Sequence, residues 1–323
     1  MNIEMIRAAA ERLRGHTRVT PLLSSPFLDE IAGRRVLVKP ECLQHTGSFK
    51  YRGARAALSA LDPDLRARGV IAFSSGNHAQ GIAKAAAEFA SPAVIVMPSD
   101  APALKIANTR DLGAEVILYD RATQDRDEIG AALADERGLT LVKPFDEPQV
   151  IAGQGTVGLE IAAQAAEAGV REAEVLVPCG GGGLTGGIAL ALAADAPGLT
   201  VRPVEPEGFD DVKRSLETGQ IASNAHTTGS ICDAIITPSP GEITFPILAA
   251  LCGPGLTVSD DDCLRAMAAA FTRLKLVIEP GGVVALAAAL YQPEALSGDS
   301  VIVVATGGNV DAELYAEALA RFG

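Results

Sequence analysis

The sequence predicts an α/β fold in which parallel sheets are flanked by crossover helices, and three observations support this prediction. Short runs of β-branched residues alternate with Ala-rich helical stretches along nearly the whole chain. The runs between residues 70 and 144 recur about every 20 to 25 residues, and each is followed by a helical stretch. Hydrophobic residues make up 48% of the chain and charged residues 21%, which is typical of a folded globular protein and excludes disorder as the main state.

The predicted elements fall into two series along the 323 residues, a length that suits about two domains. The first series lies between residues 70 and 144 and predicts one compact unit, and the second begins after residue 170. The Pro-containing segment 144–148 between them is predicted to be a hinge. Predicted strands cover 36–39, 70–73, 93–98, 114–119, 139–144, 174–178, 199–205 and 300–306, and predicted helices cover 50–61, 77–89, 102–112, 123–136 and 151–168.

Composition and charge exclude several classes of partner and location. The net charge of −13, from 27 Lys and Arg against 40 Asp and Glu, repels the phosphate backbone of nucleic acids. The five cysteines form no CxxC pair, which indicates reduced thiols and a cytoplasmic protein. Residues 1–16 predict a charged amphipathic helix without the apolar region of a secretory signal. The uncharged stretch 175–194 contains Pro178 and several glycines, which favours a strand, a loop and a helix over a membrane span.

The segment CGGGGLTGG (179–187) is a candidate ligand site because it follows a predicted strand and precedes an apolar helix. Four consecutive glycines leave backbone N–H groups uncovered, and the helix N-terminus adds a positive dipole, so the segment suits a phosphate group. The same residues also match the dinucleotide pattern G-x-G-x-x-G at Gly181, Gly183 and Gly186, with Glu205 ending the next strand. A nicotinamide-dependent oxidoreductase is therefore an alternative, although this pattern usually opens the first βα unit of its domain.

Two further segments place polar side chains at predicted helix starts. Lys50 follows Gly-Ser-Phe at such a start, where the helix dipole can lower the pKa of an amine far enough for Schiff-base formation. A solvated lysine is the alternative interpretation. The loop FSSGNHAQGIA (73–83) has four short polar side chains that suit a carboxylate, whereas helix N-capping explains only one of them. These four are Ser74, Ser75, Asn77 and His78.

Two segments near the end of predicted strands complete the candidate sites. VATGGNVD (304–311) places Thr306 at the carboxyl end of a strand, before a glycine turn. VEPEGFDD (204–211) carries four carboxylates, which can hold a hard divalent cation or form an acidic solvated surface. These carboxylates belong to Glu205, Glu207, Asp210 and Asp211.

Taken together, these segments resemble the fold type II pyridoxal-phosphate enzymes, specifically the threonine/serine dehydratase and serine racemase family. The resemblance implies a tryptophan-synthase-β-like fold with two open, mostly parallel twisted sheets. It also implies a large cofactor-binding domain (1–67 and 147–323), a small mobile domain (68–146) and a cofactor in the cleft between them. The matching stretches, in the family's order, are TGSFKYRGA (46–54), SSGNHAQGIA (74–83), VIAGQGTVGLEI (150–161), VPCGGGGLTGGIA (177–189), VEPEGFDD (204–211), IEPGGVVALAA (278–288) and TGGNVD (306–311).

The resemblance assigns cofactor contacts to particular residues. Lys50 would hold pyridoxal phosphate as a Schiff base, and Phe49 would pack against the pyridine ring. Asn77 would donate a hydrogen bond to the 3′-oxygen. Thr306 would face the ring nitrogen, where a neutral hydroxyl leaves the ring a weaker electron sink than a carboxylate does. The phosphate would be bound by the N–H groups of Gly180, Gly181, Gly182, Gly183 and Leu184.

The resemblance also implies a reaction, the β-elimination of water from L-threonine or L-serine to give a 2-oxo acid and ammonia. Lys50 would take the α-proton. Serine racemase and 3-hydroxyaspartate dehydratase are alternatives, and Ser75 matches the serine that protonates the opposite face of the α-carbon in racemases of this family. Arg126 would approach the substrate. The substrate carboxylate would lie on Ser74, Ser75, Asn77 and His78.

Three remaining expectations concern a metal, the substrate charge and assembly. The family's metal site falls on the side chains of Glu205 and Asp211 and the carbonyl of Phe209, a set of oxygens that suits Mg²⁺ or Ca²⁺. Lys143 stands where many relatives have a histidine, and its charge favours a dicarboxylate such as 3-hydroxyaspartate; a surface lysine is the alternative. The family also implies a homodimer whose substrate is a small amino acid.

Overall fold

The computed structural model describes residues 1–74, 76–101, 103–120 and 122–323, without the side chains of residues 103, 104 and 127. Ten strands lie in these ranges and form two separate sheets. The strands are β1 (Leu23–Ser24), β2 (Arg35–Pro40), β3 (Val70–Phe73), β4 (Ala93–Pro98), β5 (Glu115–Tyr119), β6 (Thr140–Leu141), β7 (Ala173–Pro178), β8 (Leu199–Pro206), β9 (Leu256–Val258) and β10 (Ser300–Ala305).

Both sheets are mostly parallel, as the alternation of strands and helices predicts. The smaller sheet has the strand order β5-β4-β3-β6 and is parallel throughout. The larger sheet has the order β1-β2-β10-β7-β8-β9, in which only β1 is antiparallel to its neighbour. The predicted α/β fold with two open, mostly parallel sheets is therefore confirmed.

Helices connect the strands, and local sequence signals set their ends. In α8, Pro148 occupies the first turn and the Glu147 carboxylate accepts the amides of Gln149 and Val150. The helices are α1 (Ile3–Leu13), α2 (Pro26–Ala32), α3 (Lys50–Ala60), α4 (Pro63–Arg68), α5 (Asn77–Glu88), α6 (Ala103–Asp111), α7 (Arg126–Arg137), α8 (Pro148–Glu167), α9 (Gly183–Asp195), α10 (Asp211–Thr218), α11 (Thr244–Leu251), α12 (Asp260–Leu274), α13 (Pro280–Tyr291) and α14 (Ala312–Phe322).

The central strand β10 illustrates how the core of the larger sheet is built. Its apolar run has no exposed surface, as expected for a parallel strand covered on both faces. Val301 and Val303 belong to a cluster that includes α13, whereas Ile302 and Val304 belong to a second cluster that includes α8 and α9. Helices therefore seal both faces of the sheet, and the ends of its strands remain as the place for a ligand.

The helices α8 and α9 approach each other so closely that only glycine fits at their contact. A Cβ at Gly155 would lie 2.9 Å from the carbonyl oxygen of Gly187, and a Cβ at Gly187 would lie 2.6 Å from the carbonyl oxygen of Ile151. Backbone contact of this kind fixes the position of α9 on α8. Since the glycine loop precedes α9, this packing also fixes the loop.

The segment 139–144 is strand over Thr140–Leu141 only, shorter than the sequence predicts. Pro144 has no N–H to donate to a neighbouring strand. The carbonyls of Val142 and Pro144 accept hydrogen bonds from side chains, His78 Nε2 at 3.0 Å and Lys50 Nζ at 2.9 Å. The carbonyls at the end of this predicted strand therefore bind side chains instead of pairing with a neighbouring strand.

Two short strands, β1 and β9, were not predicted, because two or three residues carry no recognisable alternation. The uncharged stretch 175–194 forms the end of β7, a loop and most of α9, as predicted. Among the described residues, none of the helices has the length and apolar character needed to span a membrane.

Candidate active site

A cavity of about 650 Å³ lies between the two sheets, at the carboxyl ends of their strands. Phe73 and Ser74 line it from the end of β3, Pro178 from the end of β7, and Thr306 from the end of β10. The cavity thus lies where the sequence places the candidate segments. The predicted site residues that line it are Phe49, Lys50, Ser74, Asn77, His78, Arg126, Gly180, Gly181, Gly182, Gly183, Leu184 and Thr306.

Lys50 is the first residue of α3, and its amine faces the cavity. Its Nζ donates a hydrogen bond to the carbonyl of Pro144 at 2.9 Å and lies 5.2 Å from the centre of the Phe49 ring. Burial lowers the pKa of Lys50 to about 8, against a smaller opposing effect of Glu279. A useful fraction of this amine is therefore neutral, and able to act as a nucleophile or base, near neutral pH.

A buried network of ion pairs anchors α3, the helix that begins at Lys50. The Arg52 guanidinium donates to both carboxylate oxygens of Glu41 at 2.7 and 2.9 Å and pairs with Glu160 at 2.6 Å. Arg52 and Glu41 have no exposed surface. Planar, bidentate contacts of this kind fix direction as well as charge, so the network orients the helix that carries Lys50.

The loop from Gly180 to Leu184 joins β7 to α9 with its backbone N–H groups uncovered. Gly182 has φ +89°, a conformation that favours glycine. Within the described residues, the amides of Gly180 to Gly183 find no hydrogen-bond acceptor. Phe145 lies directly against the loop, since a Cβ at Gly181 would clash with its ring. These free donors at the N-terminus of a 13-residue helix fit a phosphate group.

Thr306 follows β10, and both of its backbone groups are fixed. Its amide donates to the carbonyl of Gly282 at 3.2 Å, and its carbonyl accepts from the amide of Phe49 at 3.1 Å. Thr306 is 4% exposed, and its hydroxyl has no hydrogen-bond partner among the described residues. A fixed hydroxyl facing the cavity fits a contact with a ring nitrogen.

The polar loop at the end of β3 contributes side chains that are already held in place. Asn77 donates to Glu279 Oε1 at 2.6 Å and accepts from Asn309 Nδ2 at 2.7 Å, which leaves one N–H of its amide group free. The Ser74 hydroxyl accepts the amide of Gly76 at 3.2 Å. Ser75, the predicted partner of Lys50 in racemisation, lies outside the described residues.

His78 is 3% exposed, and burial lowers its pKa to about 3, with the Lys50 charge as a second cause. The ring is therefore neutral. With Nε2 donating to the carbonyl of Val142, Nδ1 carries a lone pair and has no partner. The unpartnered ring nitrogen is thus a buried acceptor, and the donor that His78 offers is its backbone amide in the first turn of α5.

Glu279 is a site residue that the sequence reasoning missed. It lines the cavity with 3% of its surface exposed, and burial raises its pKa to about 7. Its carboxylate accepts from Asn77 and lies against Gly307, where a Cβ would meet Oε1. A carboxyl with this pKa can hold or release a proton near neutral pH. The signal was available, since a lone acidic residue sits before Pro280 in an apolar run.

Three cations line the cavity besides Lys50. Lys105 pairs with Asp233 at 3.2 Å, joining α6 to the loop before α11. Arg126 is the first residue of α7 and lines the cavity, and its predicted approach to the substrate stays a prediction. Lys143 is exposed at the cavity and makes no ion pair with a described residue. The cavity lining therefore combines four cations with four acidic residues, Asp146, Asp233, Glu242 and Glu279.

Glu205, Phe209 and Asp211 lie together near the start of α10, and they do not line the cavity. The Glu205 carboxylate accepts the amides of Val212 and Lys213 at 2.9 and 2.8 Å. It is therefore not placed to bind a ribose at the glycine loop, which removes the support for the dinucleotide alternative. No group of three His, Cys, Asp or Glu side chains suited to a metal occurs in the described part of the chain.

Comparisons with known proteins agree with this geometry. A family model described as pyridoxal-phosphate dependent enzyme matches residues 13–307. The L-threo-3-hydroxyaspartate ammonia-lyase of Pseudomonas sp is 46% identical over 311 residues, which cover 96% of each protein. The serine racemase of Schizosaccharomyces pombe is 40% identical over 98% of this chain and 96% of that protein. The crystal structure of a T.th. threonine deaminase superimposes with a TM-score of 0.91 at 45% identity, covering 96% of this chain and 99% of that one.

Proposed function

Since the chain belongs to the family of pyridoxal-phosphate-dependent enzymes, we propose that it is an ammonia-lyase that eliminates water from a β-hydroxy amino acid, after which hydrolysis of the released enamine gives ammonia. The observation that carries the proposal is the Lys50 amine, with its pKa lowered to about 8, facing a cavity edged by uncovered glycine amides. Relatives named hydroxyaspartate ammonia-lyase and threonine deaminase support this reaction class. The product is a 2-oxo acid.

The residues present fit the cofactor. Lys50 supplies the amine for its covalent attachment, and the amides of Gly180 to Gly183, with that of Leu184 in the first turn of α9, bind the phosphate. Phe49 packs on the ring, the free N–H of Asn77 donates to the 3′-oxygen, and Thr306 faces the ring nitrogen. When bound, pyridoxal phosphate withdraws electrons from the α-carbon of an attached amino acid. The neutral Thr306 hydroxyl limits that withdrawal and favours loss of a β-substituent.

The protein's own groups supply binding and proton transfer. Lys50 acts as the base on the α-proton, since an amine with a pKa of about 8 is partly neutral at physiological pH. The substrate carboxylate is held at the start of α5 by Ser74 and the backbone amides of Asn77 and His78, and the family resemblance assigns Ser75 to the same role. Closure of the small domain over the cavity would exclude water, and the β-hydroxyl would leave as water on protonation by an acid in the site.

The sequence favours L-threonine or L-serine with 3-hydroxyaspartate as an alternative, and one observation in the structure favours this alternative. The specific observation is the set of three cations, Lys105, Arg126 and Lys143, which line the same cavity as Lys50. A second carboxylate on the substrate is the natural partner for such charges. The 46% identity with a 3-hydroxyaspartate ammonia-lyase supports this candidate.

A Mg²⁺ or Ca²⁺ ion at Glu205, Asp211 and the Phe209 carbonyl is also part of the proposal. Asp211 Oδ2 is buried without a hydrogen-bond partner. Burial raises the pKa of Asp211 to about 6, and burial together with the Asp211 charge raises the pKa of Glu205. Two buried carboxylates with an unused oxygen fit a hard cation, whose waters complete the coordination.

We propose further that residues 68–146 move as a small domain on a large one formed by 1–67 and 147–323. The four-stranded sheet falls wholly inside the first range and the six-stranded sheet wholly inside the second, which supports this division. The homodimer and the cytoplasmic location rest on the family resemblance and on five cysteines that form no disulfide.

The test measures 2-oxo acid formed by purified, cofactor-loaded protein from L-threonine, L-serine, D-serine and both diastereomers of 3-hydroxyaspartate. Chiral analysis of the remaining substrate detects racemisation. Lys50→Ala is expected to abolish turnover and the visible absorption of the attached cofactor while circular dichroism is unchanged. A Lys50→Ala protein that forms 2-oxo acid at the wild-type rate contradicts the mechanism. Exchange of configuration without 2-oxo acid indicates the racemase alternative.

A further inference from the structure

We propose that the ammonium group of Lys143 binds the distal carboxylate of the substrate and thereby selects a 3-hydroxy dicarboxylic amino acid over L-serine and L-threonine. The inference deepens the proposed function and rests on it. It assigns specificity to one side chain that stands between two backbone anchors in the wall of the cavity.

The segment that carries Lys143 is fixed on both sides. On one side, the carbonyl of Val142 accepts from His78 Nε2 at 3.0 Å, a contact with α5. On the other side, the carbonyl of Pro144 accepts from Lys50 Nζ at 2.9 Å while that amine is free. Further along, Asp146 Oδ1 accepts the amide of Ile243 at 2.8 Å. The backbone at Lys143 therefore has a defined position relative to the reactive amine, although the side chain itself is exposed.

This position puts the Lys143 ammonium within reach of a substrate. The Lys143 Cα is within about 9 Å of Lys50 Nζ, since consecutive Cα atoms are about 3.8 Å apart and the Pro144 carbonyl touches Lys50. A lysine carries its charge on a flexible four-carbon stem, which spans most of that distance. The α-carbon of the substrate must lie beside Lys50, and a β-carboxylate is two bonds from it.

The charges around the cavity leave Lys143 as a cation without a counterion among the described residues. Lys105 is committed to Asp233 at 3.2 Å. Of the other acidic residues in the lining, Asp146 accepts a backbone amide, Glu279 accepts from Asn77, and the exposed Glu242 makes no ion pair with a described residue. A substrate carboxylate near Lys143 is attracted by the charge of the ammonium group. The methyl group of threonine and the hydrogen of serine at the same position carry no charge and are not attracted. At a partly exposed site this attraction corresponds to about a tenfold preference.

The experiment compares the wild-type holoenzyme with Lys143→Met, which removes the charge, and Lys143→Arg, which keeps it. Arg171→Met is the matched control, because Arg171 is an exposed cation outside the cavity lining. We expect Lys143→Met to lower kcat/KM for 3-hydroxyaspartate about tenfold, mainly through KM, and to leave kcat/KM for L-serine within about twofold. Lys143→Arg should retain most of the preference, and Arg171→Met all of it.

A binding measurement separates this inference from the proposed function. Succinate carries two carboxylates and no β-hydroxyl, so its dissociation constant, measured by calorimetry on the holoenzyme, does not depend on turnover. We expect Lys143→Met to weaken succinate binding about tenfold and acetate binding hardly at all. Unchanged succinate affinity, or equal losses for 3-hydroxyaspartate and L-serine, overturns the role of Lys143. Absence of 2-oxo acid from every substrate with wild-type protein overturns the proposed function instead.

Discussion

Replacing Glu279 by Gln tests whether the carboxyl group in the wall of the cavity is held protonated by the fold. Burial raises its pKa from 4.5 to about 7 in the folded chain. At about 1.4 kcal/mol for each pKa unit, this difference amounts to about 3 kcal/mol of stability. Between these two pKa values the folded chain keeps a proton that the unfolded chain releases. The contribution is therefore present below pH 4.5 and is lost as the pH rises through 7.

Glu279→Gln keeps the oxygen that accepts from Asn77 and removes the titration. We expect the free energy of unfolding of the variant, relative to wild type, to increase by about 2 to 3 kcal/mol between about pH 5 and pH 8. Urea unfolding of the cofactor-free chain at several pH values measures this difference, with the exposed Glu167→Gln as control. Parallel pH profiles for wild type and Glu279→Gln refute the reasoning, because they mean that the carboxyl titrates alike in both states.

Three other predictions follow from contacts described above. Gly181→Ala drives a Cβ into the Phe145 ring, so we expect about tenfold weaker binding of pyridoxal phosphate, measured by titration of the cofactor-free protein; unchanged affinity contradicts the close contact. Arg52→Met leaves the Glu41 carboxylate buried without its partner, and urea unfolding should show a loss of about 3 to 5 kcal/mol. Chelation by EDTA should lower Tm, Mg²⁺ or Ca²⁺ should restore it, and Asp211→Asn should abolish this response; a Tm indifferent to chelator supports an acidic surface without a metal.

The sequence was sufficient for the fold class and for most of the cavity wall because the signals there are local. β-branched runs marked the buried strands, and the glycine run marked the loop that opens α9. Lys50 and Thr306 were found because each stands next to a recognisable element end, the start of α3 and the end of β10. Parallel sheets bring such ends to a common edge, so residues that are far apart in the sequence but adjacent to strand ends lie close together in the fold.

The features that could not be predicted from the sequence depend on contacts between distant parts of the chain. Glu279 acquires its raised pKa from burial, against the lowering effect of the hydrogen bond from Asn77, and no local pattern of residues encodes that burial. The end of the predicted strand 139–144 failed for the same reason, because its carbonyls bind His78 and Lys50 from two other elements. The neutral His78 ring is likewise a product of burial, so its backbone amide replaces the side chain as the expected donor.

With the roles proposed for Lys50 and Lys143, the hydrogen bond from Lys50 to the carbonyl of Pro144 would link the free energy of cofactor attachment to that of substrate binding. When the Lys50 amine holds the cofactor, its hydrogen bond to the Pro144 carbonyl would be lost. That carbonyl belongs to the segment that carries Lys143 and Phe145. Such coupling is reciprocal. If a ligand that binds this segment changes the affinity for the cofactor by some factor, the cofactor changes the affinity for that ligand by the same factor. A substitution that changes substrate preference through this segment is therefore expected to change the affinity for the cofactor as well.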